Sequence, residues 1–298
     1  MKKFINKTED ITKELLEGYV LAYQDRVKLG AENIVVRANP KSEDKVAIVT
    51  MGGSGHEPAL SGYVGEGMLD CSVVGDVFAA PGAQRVFQAL QMFKRDAGIL
   101  LVVLNHSGDL MSANMACIPL YKVVGAASEE GKSLDELYEL GERFNKGIAT
   151  LAVAMNKCTH PQNDATITDL PEGIMEIGMG QHGEGGGGQE ALVSADDTAE
   201  KMVGLLMRKL QAKAGDKVLL YINGVGATTH MEMNIVFRRA YQVLEAAGVK
   251  VVDGRIAEML TVQEQSGFQM ILAKMDDDHI DYLKNHMANA PYWTTVGK

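Results

Sequence analysis

Short apolar runs alternate with amphipathic stretches along this chain, the pattern of an α/β protein. Residues 8–22 repeat apolar positions at helical spacing, and residues 45–50, "KVAIVT", read as a buried strand. That strand runs directly into Met51-Gly52-Gly53-Ser54-Gly55-His56-Glu57-Pro58. Helices are predicted over residues 83–94, 121–130 and 133–145, with Gly131 as a stop signal between the last two. Residues 98–104, "GILLVVL", form the most apolar run and predict a central strand that empties into Asn105-His106-Ser107-Gly108-Asp109.

A second cycle begins near residue 145. Strands are predicted over 148–155, 175–178, 217–222, 249–252 and 268–275, and helices over 196–212 and 229–247. The boundary falls near 144–147, giving an N-terminal unit 1–145 and a C-terminal unit 146–298, each a sheet covered by helices. In open α/β sheets ligands bind beyond the carboxyl ends of strands. Three polar glycine-containing loops follow strands here, at 52–57, 105–109 and 224–228. A fourth glycine-rich stretch, "IGMGQHGEGGGG" (177–188), surrounds His182. Glycine loses more freedom on folding than other residues, so such a stretch implies a sharp turn or a close approach.

Composition narrows the class. The chain has 298 residues and carries a net charge of −10, with no basic stripe of the kind a nucleic-acid binder shows. No apolar run reaches the ~18 residues of a membrane span, and the N-terminus lacks a signal-peptide core. The three cysteines are scattered without CxxC spacing, which suits a reducing cytoplasm and argues against a zinc site. Methionine, at 17 residues, reads as core filler. On helix 229–247, Met231, Met233, Ile235, Val236 and Phe237 read as core, and Arg238-Arg239 as a solvated face.

The chemistry-bearing residues leave several readings open. "MGGSGHEP" looks like a phosphate cradle but lacks the lysine of a P-loop, and the G-x-S-x-G elbow of serine hydrolases needs glycine where His56 stands. Asp109 is a candidate general base or a helix cap. His182-Gly183-Glu184 matches H-x-E, but the P-C-x-x-C that completes a deaminase zinc shell is missing. Gly185–Gly188 read equally as a functional or a mobile loop. His106, His160 and His230 carry no partner signal. The residues therefore predict a small-polar-ligand site with His56, Asp109 and His182 as its ionisable groups, without naming a reaction.

Together these loops resemble the dihydroxyacetone kinase family, in its K (substrate-binding) subunit. The carrying motifs are "GGSGHEPALSGYVGEGMLDCSVVGDVFAAP" (52–81), "NHSGD" (105–109), "IGMGQHGEGG" (177–186), "NGVGATTHMEM" (223–233) and "AGVKVV" (247–252). The resemblance implies two α/β domains, a homodimer and a short-chain ketose substrate. It implies that His182 attacks the ketone to form a covalent hemiaminal, while His56 and Asp109 line the reacting hydroxyl. Substrate contacts are implied for Gly52, Gly53, Ser54, Asn105 and Gly183. An imidazole is a nucleophile and a ketone an electrophile, so the adduct would anchor a very small molecule and reject glycerol. Neither a cofactor nor a metal is implied on this chain. ADP or ATP with Mg is implied on a separate L-type subunit, recharged in some systems by a phosphotransferase-system phosphocarrier. A runner-up reading is a ketose-sensing transcriptional coactivator that has lost phosphoryl transfer.

Three departures stand out. Leu104 replaces the lysine that the family usually carries before "N-x-[ST]-G-D". "TVQEQSGFQM" (261–270) differs from the usual serine-leucine-aspartate version. The chain also passes directly from "SANMA" (112–116) to "CIPLYK" (117–122), where the family carries a helix end, a strand and an acidic stretch. Either the chain lacks that segment or the segment is absent from this sequence; the second is the expectation, because loss of a sheet strand would cripple the first domain.

Overall fold

The computed structural model describes residues 3–103, 113–156, 158–163, 165–178 and 188–297. A 3-10 turn at Thr8–Asp10 leads into α1 (Ile11–Ala22), then β1 (Val27–Ala31), β2 (Ile34–Arg37), β3 (Ala47–Ser54) and β4 (Cys71–Val77). Next come α2 (Ala83–Met92), β5 (Ile99–Val103), α3 (Ala113–Glu129) and α4 (Leu134–Lys146). The second half holds β6 (Ile148–Ala154), β7 (Cys158–Thr159), β8 (Thr166–Thr168), β9 (Ile174–Ile177), β10 (Gln189–Ala191), α5 (Ala195–Leu210) and β11 (Lys217–Gly224). It ends with α6 (His230–Ala246), β12 (Lys250–Ala257), β13 (Gly267–Lys274), α7 (Asp277–Lys284), β14 (Ala288–Ala290) and β15 (Trp293–Thr295).

Two sheets carry the fold. The first has the order β1-β2-β4-β3-β5, and the second β10-β9-β6-β13-β11-β12. In the first, β4, β3 and β5 run parallel. In the second only β11 and β12 are parallel, because β13 returns antiparallel between β11 and β6. The strand–loop–helix plan expected of both halves is therefore parallel mainly in the first. The first sheet is built from residues 27–103 and the second from residues 148–274, but the packing does not separate the two. The β14–β15 hairpin returns to the first half, where the Tyr292 amide donates to the Gly62 carbonyl at 3.0 Å. One apolar core takes Ile48, Tyr121 and Phe144 from the first half and Tyr221, Ile271 and Trp293 from the second.

The central strands of the second sheet show why their sequences are continuously apolar. Leu219 and Tyr221 enter the core between the sheets, while Val218, Leu220 and Ile222 enter a second core under α5 and α6. A strand covered on both faces has no polar side. β5 obeys the same rule yet is not central. Leu100 and Val102 pack on the inter-sheet core, and Ile99 and Leu101 on the cluster under α2. Among the described strands it nonetheless lies at the edge of its sheet. Apolar pattern reports covered faces, not hydrogen-bonded neighbours.

Helix starts follow their caps. Ser133 with Glu136 and Thr229 with Glu232 form capping boxes at α4 and α6, and Ser194 caps α5. α3 begins earlier than residue 121, because Pro119 sits inside it rather than before it. Burial of the apolar Ile118 and Tyr121 side chains in the inter-sheet core offsets the ~3 kcal/mol that an internal proline costs. The helix runs unbroken across the Ala116–Cys117 junction, and among the described strands β5 lies at the sheet edge. On α6, Met233 and Val236 are buried as expected, but Met231 and Ile235 are exposed on the opposite face. Arg238 and Arg239 pair with Asp196 and Glu200 of α5.

A buried ionic cluster ties the first sheet to α3. Asp70, 1% exposed, accepts from Arg37 at 2.9 Å and from Lys41 at 2.7 Å. Its second oxygen also takes the Ile48 amide at 2.8 Å. Arg37 continues to Glu129 at 2.6 Å, and Lys41 to the Ser128 hydroxyl at 2.9 Å. Removing the carboxylate strands two buried cations. Asp70→Ala is expected to lower the unfolding free energy by about 3–5 kcal/mol in urea titrations, and a loss below ~1 kcal/mol would mean that the cluster relaxes into solvent.

Deeper in α3, Lys122 is fully buried and donates to the Tyr282 carbonyl at 2.6 Å. Burial pushes its pKa down to about 8 from 10.5. Between these values Lys122 is more protonated in the unfolded chain than in the folded one, so its own contribution to stability rises with pH from 8 to 10. In urea titrations the stability difference between the parent and Lys122→Met should therefore shift in the parent's favour over this range, and a difference that stays constant with pH would show that Lys122 titrates normally in the fold.

Candidate functional site

The turn after β3 is shaped by glycine and locked from both sides. A Cβ on Gly53 would lie 2.8 Å from the Ala79 amide nitrogen and 3.2 Å from the Asp76 carbonyl. The close approach at Gly53 is thus made, on that side, by the chain's own segment beyond β4. Gly55 sits at φ +95°, where a side chain would also meet the Phe78 ring at 2.9 Å. Glu57 reaches back to take the Gly55 amide on both carboxylate oxygens, at 3.0 and 3.1 Å. Burial raises the Glu57 carboxyl above the usual carboxylate range.

His56 projects from this turn with 7% of its surface exposed. Its Nδ1 lies 2.9 Å from the Thr261 carbonyl. A carbonyl only accepts, so Nδ1 carries the proton and the lone pair of the neutral ring resides on Nε2. The ring packs on Phe78 at 4.8 Å between centroids, and Phe78 in turn meets His160 edge-on at 5.2 Å. His56 is therefore a held imidazole, with a base nitrogen at Nε2 and a carbonyl at Nδ1 that stabilises the protonated ring.

The second half supplies the clamp. The Thr261 hydroxyl donates to the Glu57 carbonyl at 2.8 Å, and the Thr261 amide to the His56 carbonyl at 3.2 Å. Gln263 donates to the Gly55 carbonyl at 2.9 Å. These are residues of the departing "TVQEQ" stretch, so that difference from the family falls on the support of His56. The loop after β11 holds the clamp in place. Val262 donates its amide to the Val225 carbonyl at 2.7 Å, and Ala227 to the Gln265 carbonyl at 3.0 Å. Gly226, at φ +134°, lies so close that a Cβ would sit 1.8 Å from the Gln263 carbonyl oxygen.

Of the expected site residues, the structure places Gly52, Gly53, Ser54 and His56. The Ser54 side chain is 1% exposed and shares a 3.0 Å hydrogen bond with Thr12 of α1, so only its backbone is available to a ligand. Asn105, Asp109, His182 and Gly183, with Leu104, lie outside the described residues. Pattern reading missed Thr261, Gln263, Phe78 and His160. Phe78 lies inside the motif 52–81 and Thr261 and Gln263 inside the departing stretch 261–270, but neither stretch shows their role, which comes from packing between segments about 20 to 210 positions apart in sequence. Among the described residues, no group of three or more His, Cys, Asp or Glu could hold a metal ion. No described helix is long and apolar enough to cross a membrane.

The clamp predicts a test. Gly226→Ala should destabilise the protein by more than ~1 kcal/mol, because neither its φ nor its space admits a side chain. Thermal melting checks this, and an unchanged midpoint would show that residues 261–265 can shift freely.

Comparison with known proteins places this arrangement. The chain is 32% identical to a dihydroxyacetone-binding subunit, DhaK, of a PTS-dependent dihydroxyacetone kinase from Listeria innocua, over 95% of this chain and 98% of that one. It is 30% identical to the L-erythrulose kinase of Pectobacterium atrosepticum over 93% of its own length and 54% of that protein. A solved structure described as the dihydroxyacetone kinase operon co-activator DhaQ superposes with a TM-score of 0.86 at 28% identity, covering 97% of this chain and 99% of that one. The Dak1 domain model matches residues 17–119 and 115–291, two stretches that meet at the shortened junction in α3. The chain belongs to the Dak1 domain family.

Proposed function

We propose that this chain is the ketose-holding subunit of a dihydroxyacetone-type kinase, acting on dihydroxyacetone or a C3–C4 relative such as erythrulose. The observation that carries this reading is the end-to-end similarity to a subunit named for binding dihydroxyacetone. In this reading a His182 ring nitrogen attacks the ketone carbon. A C–N bond forms, the carbonyl π pair moves to oxygen, that oxygen takes a proton, and the other ring nitrogen gives up its own proton, leaving a neutral hemiaminal. The fixed adduct presents a terminal hydroxyl to His56 and Asp109. The tautomer held by the Thr261 carbonyl supports His56 Nε2 as the acceptor of that hydroxyl proton. A nucleotide with Mg on an L-type partner subunit, recharged by a phosphocarrier where the donor is a phosphotransferase system, supplies the phosphoryl group. The working unit is a cytoplasmic homodimer that meets this partner.

A second reading is favoured by the structural likeness to the co-activator and by Leu104 in place of the usual lysine. It keeps the ketose adduct and drops phosphoryl transfer.

One set of measurements separates them. Intact-protein mass spectrometry after rapid quench with dihydroxyacetone is expected to show a gain of one ketose, lost in His182→Ala. Persistence of that adduct in the variant would remove His182 from the reading. With an L-type partner and a phosphoryl donor, ketose phosphate should form, and His56→Ala should slow its formation about 10²–10⁴-fold. Adduct without any ketose phosphate would favour the sensor, and neither adduct nor product would overturn both.

A further inference from the structure

Beside the turn that carries His56, and without His56 among its lining residues, a cavity of about 420 Å³ lies between α1 and the strand ends of β3 and β4. This falls within the roughly 300–1,000 Å³ of small-molecule sites. Its walls are mostly apolar, but three tyrosines and two carboxylates interrupt them: Tyr19, Tyr23, Tyr292, Glu14 and Glu57. The rings form a continuous cluster. Tyr19 and Tyr23 are 5.3 Å apart between centroids, and Tyr23 meets Tyr292 edge-on at 5.7 Å. The Tyr19 hydroxyl is tied to the Ser61 carbonyl at 2.8 Å, which fixes its ring in the wall.

The charge balance of this cavity is one-sided. No lysine, arginine or histidine is among its described lining residues. Glu14 takes only the neutral Asn6 amide, at 3.0 and 3.1 Å, and Glu57 takes the Gly55 amide. Neither carboxylate forms an ion pair among the described residues. Burial already disfavours the charged form of Glu57. An anionic or acyl-carboxylate ligand would add like charge and meet no counter-ion among the described lining residues. A cation would meet two carboxylates and the electronegative faces of the tyrosines.

We propose that this cavity is a second ligand site, taking a compact organic cation with an apolar body, of the amine or quaternary ammonium class. Its floor includes Gly52, Gly53 and Glu57, which belong to the turn that carries His56. An occupant would therefore sit against the back of that turn. The inference stands apart from the ketose reading, since binding is measured without substrate or partner.

The test uses choline and its neutral isostere, 3,3-dimethylbutan-1-ol, in isothermal titration calorimetry against the full chain. Choline should bind saturably and about tenfold or more tighter than the alcohol. Tyr292→Ala and Glu57→Gln should each weaken choline by about fivefold or more, while Tyr23→Phe should retain it. Tyr292 is 48% exposed, so its truncation is expected to leave the fold intact, and circular dichroism checks this. The chain's one tryptophan, Trp293, adjoins Tyr292 and gives an independent emission readout. Equal binding of choline and the alcohol, no binding of either, or choline binding unchanged in folded Tyr292→Ala would overturn the proposal.

Discussion

Asp70 is the point through which the first sheet is joined to the rest of the molecule. Its carboxylate takes two cations and a strand amide, and those cations reach on to Ser128 and Glu129 at the end of α3. α3 then lies between the sheets, packed against β3 on one side and β6 and β13 on the other. Buried charges are costly unless fully partnered, and this cluster satisfies that condition with side chains drawn from residues 37 to 129. The placement of one sheet over the other follows from the helix that the cluster holds.

That placement is what builds the candidate site. The His56 turn belongs to the first sheet, yet three of its backbone carbonyls, on Gly55, His56 and Glu57, are bonded by residues of the second half. The imidazole takes its proton position from a carbonyl more than two hundred residues away. The glycines of both loops serve this junction. Gly53 and Gly55 admit the segment beyond β4, and Gly226 admits the clamp. A site assembled this way is sensitive to the relation between the halves, and the divergent stretch 261–270 acts on that relation.

The shortened junction shows how apolar pattern and sheet position part company. β5 carries the composition of a central strand because both of its faces are covered, by α2 on one side and by the inter-sheet core on the other. Among the described strands its outer edge is nonetheless free of a neighbour, and Val103 is 50% exposed. α3 runs straight through residues 116 and 117 with Pro119 inside it.

Sequence by itself determined the α/β class, most helices, the apolar strands of the second sheet and the glycine turn bearing His56. Local chemistry was sufficient for these: helical periodicity closed by Ser133 and Thr229 caps, strands with both faces buried, and glycine where φ must be positive. It did not reveal β1, β2, β4, α7 or the C-terminal hairpin. These elements are short, polar on one side, or contain glycine, and only their partners stabilise them. The tertiary structure alone decided that β5 is an edge among the described strands, that Ser54 turns toward Thr12, and that Thr261 sets the tautomer of His56. Each depends on atoms far apart in the chain, and no local pattern records which distant segment arrives at hydrogen-bond distance.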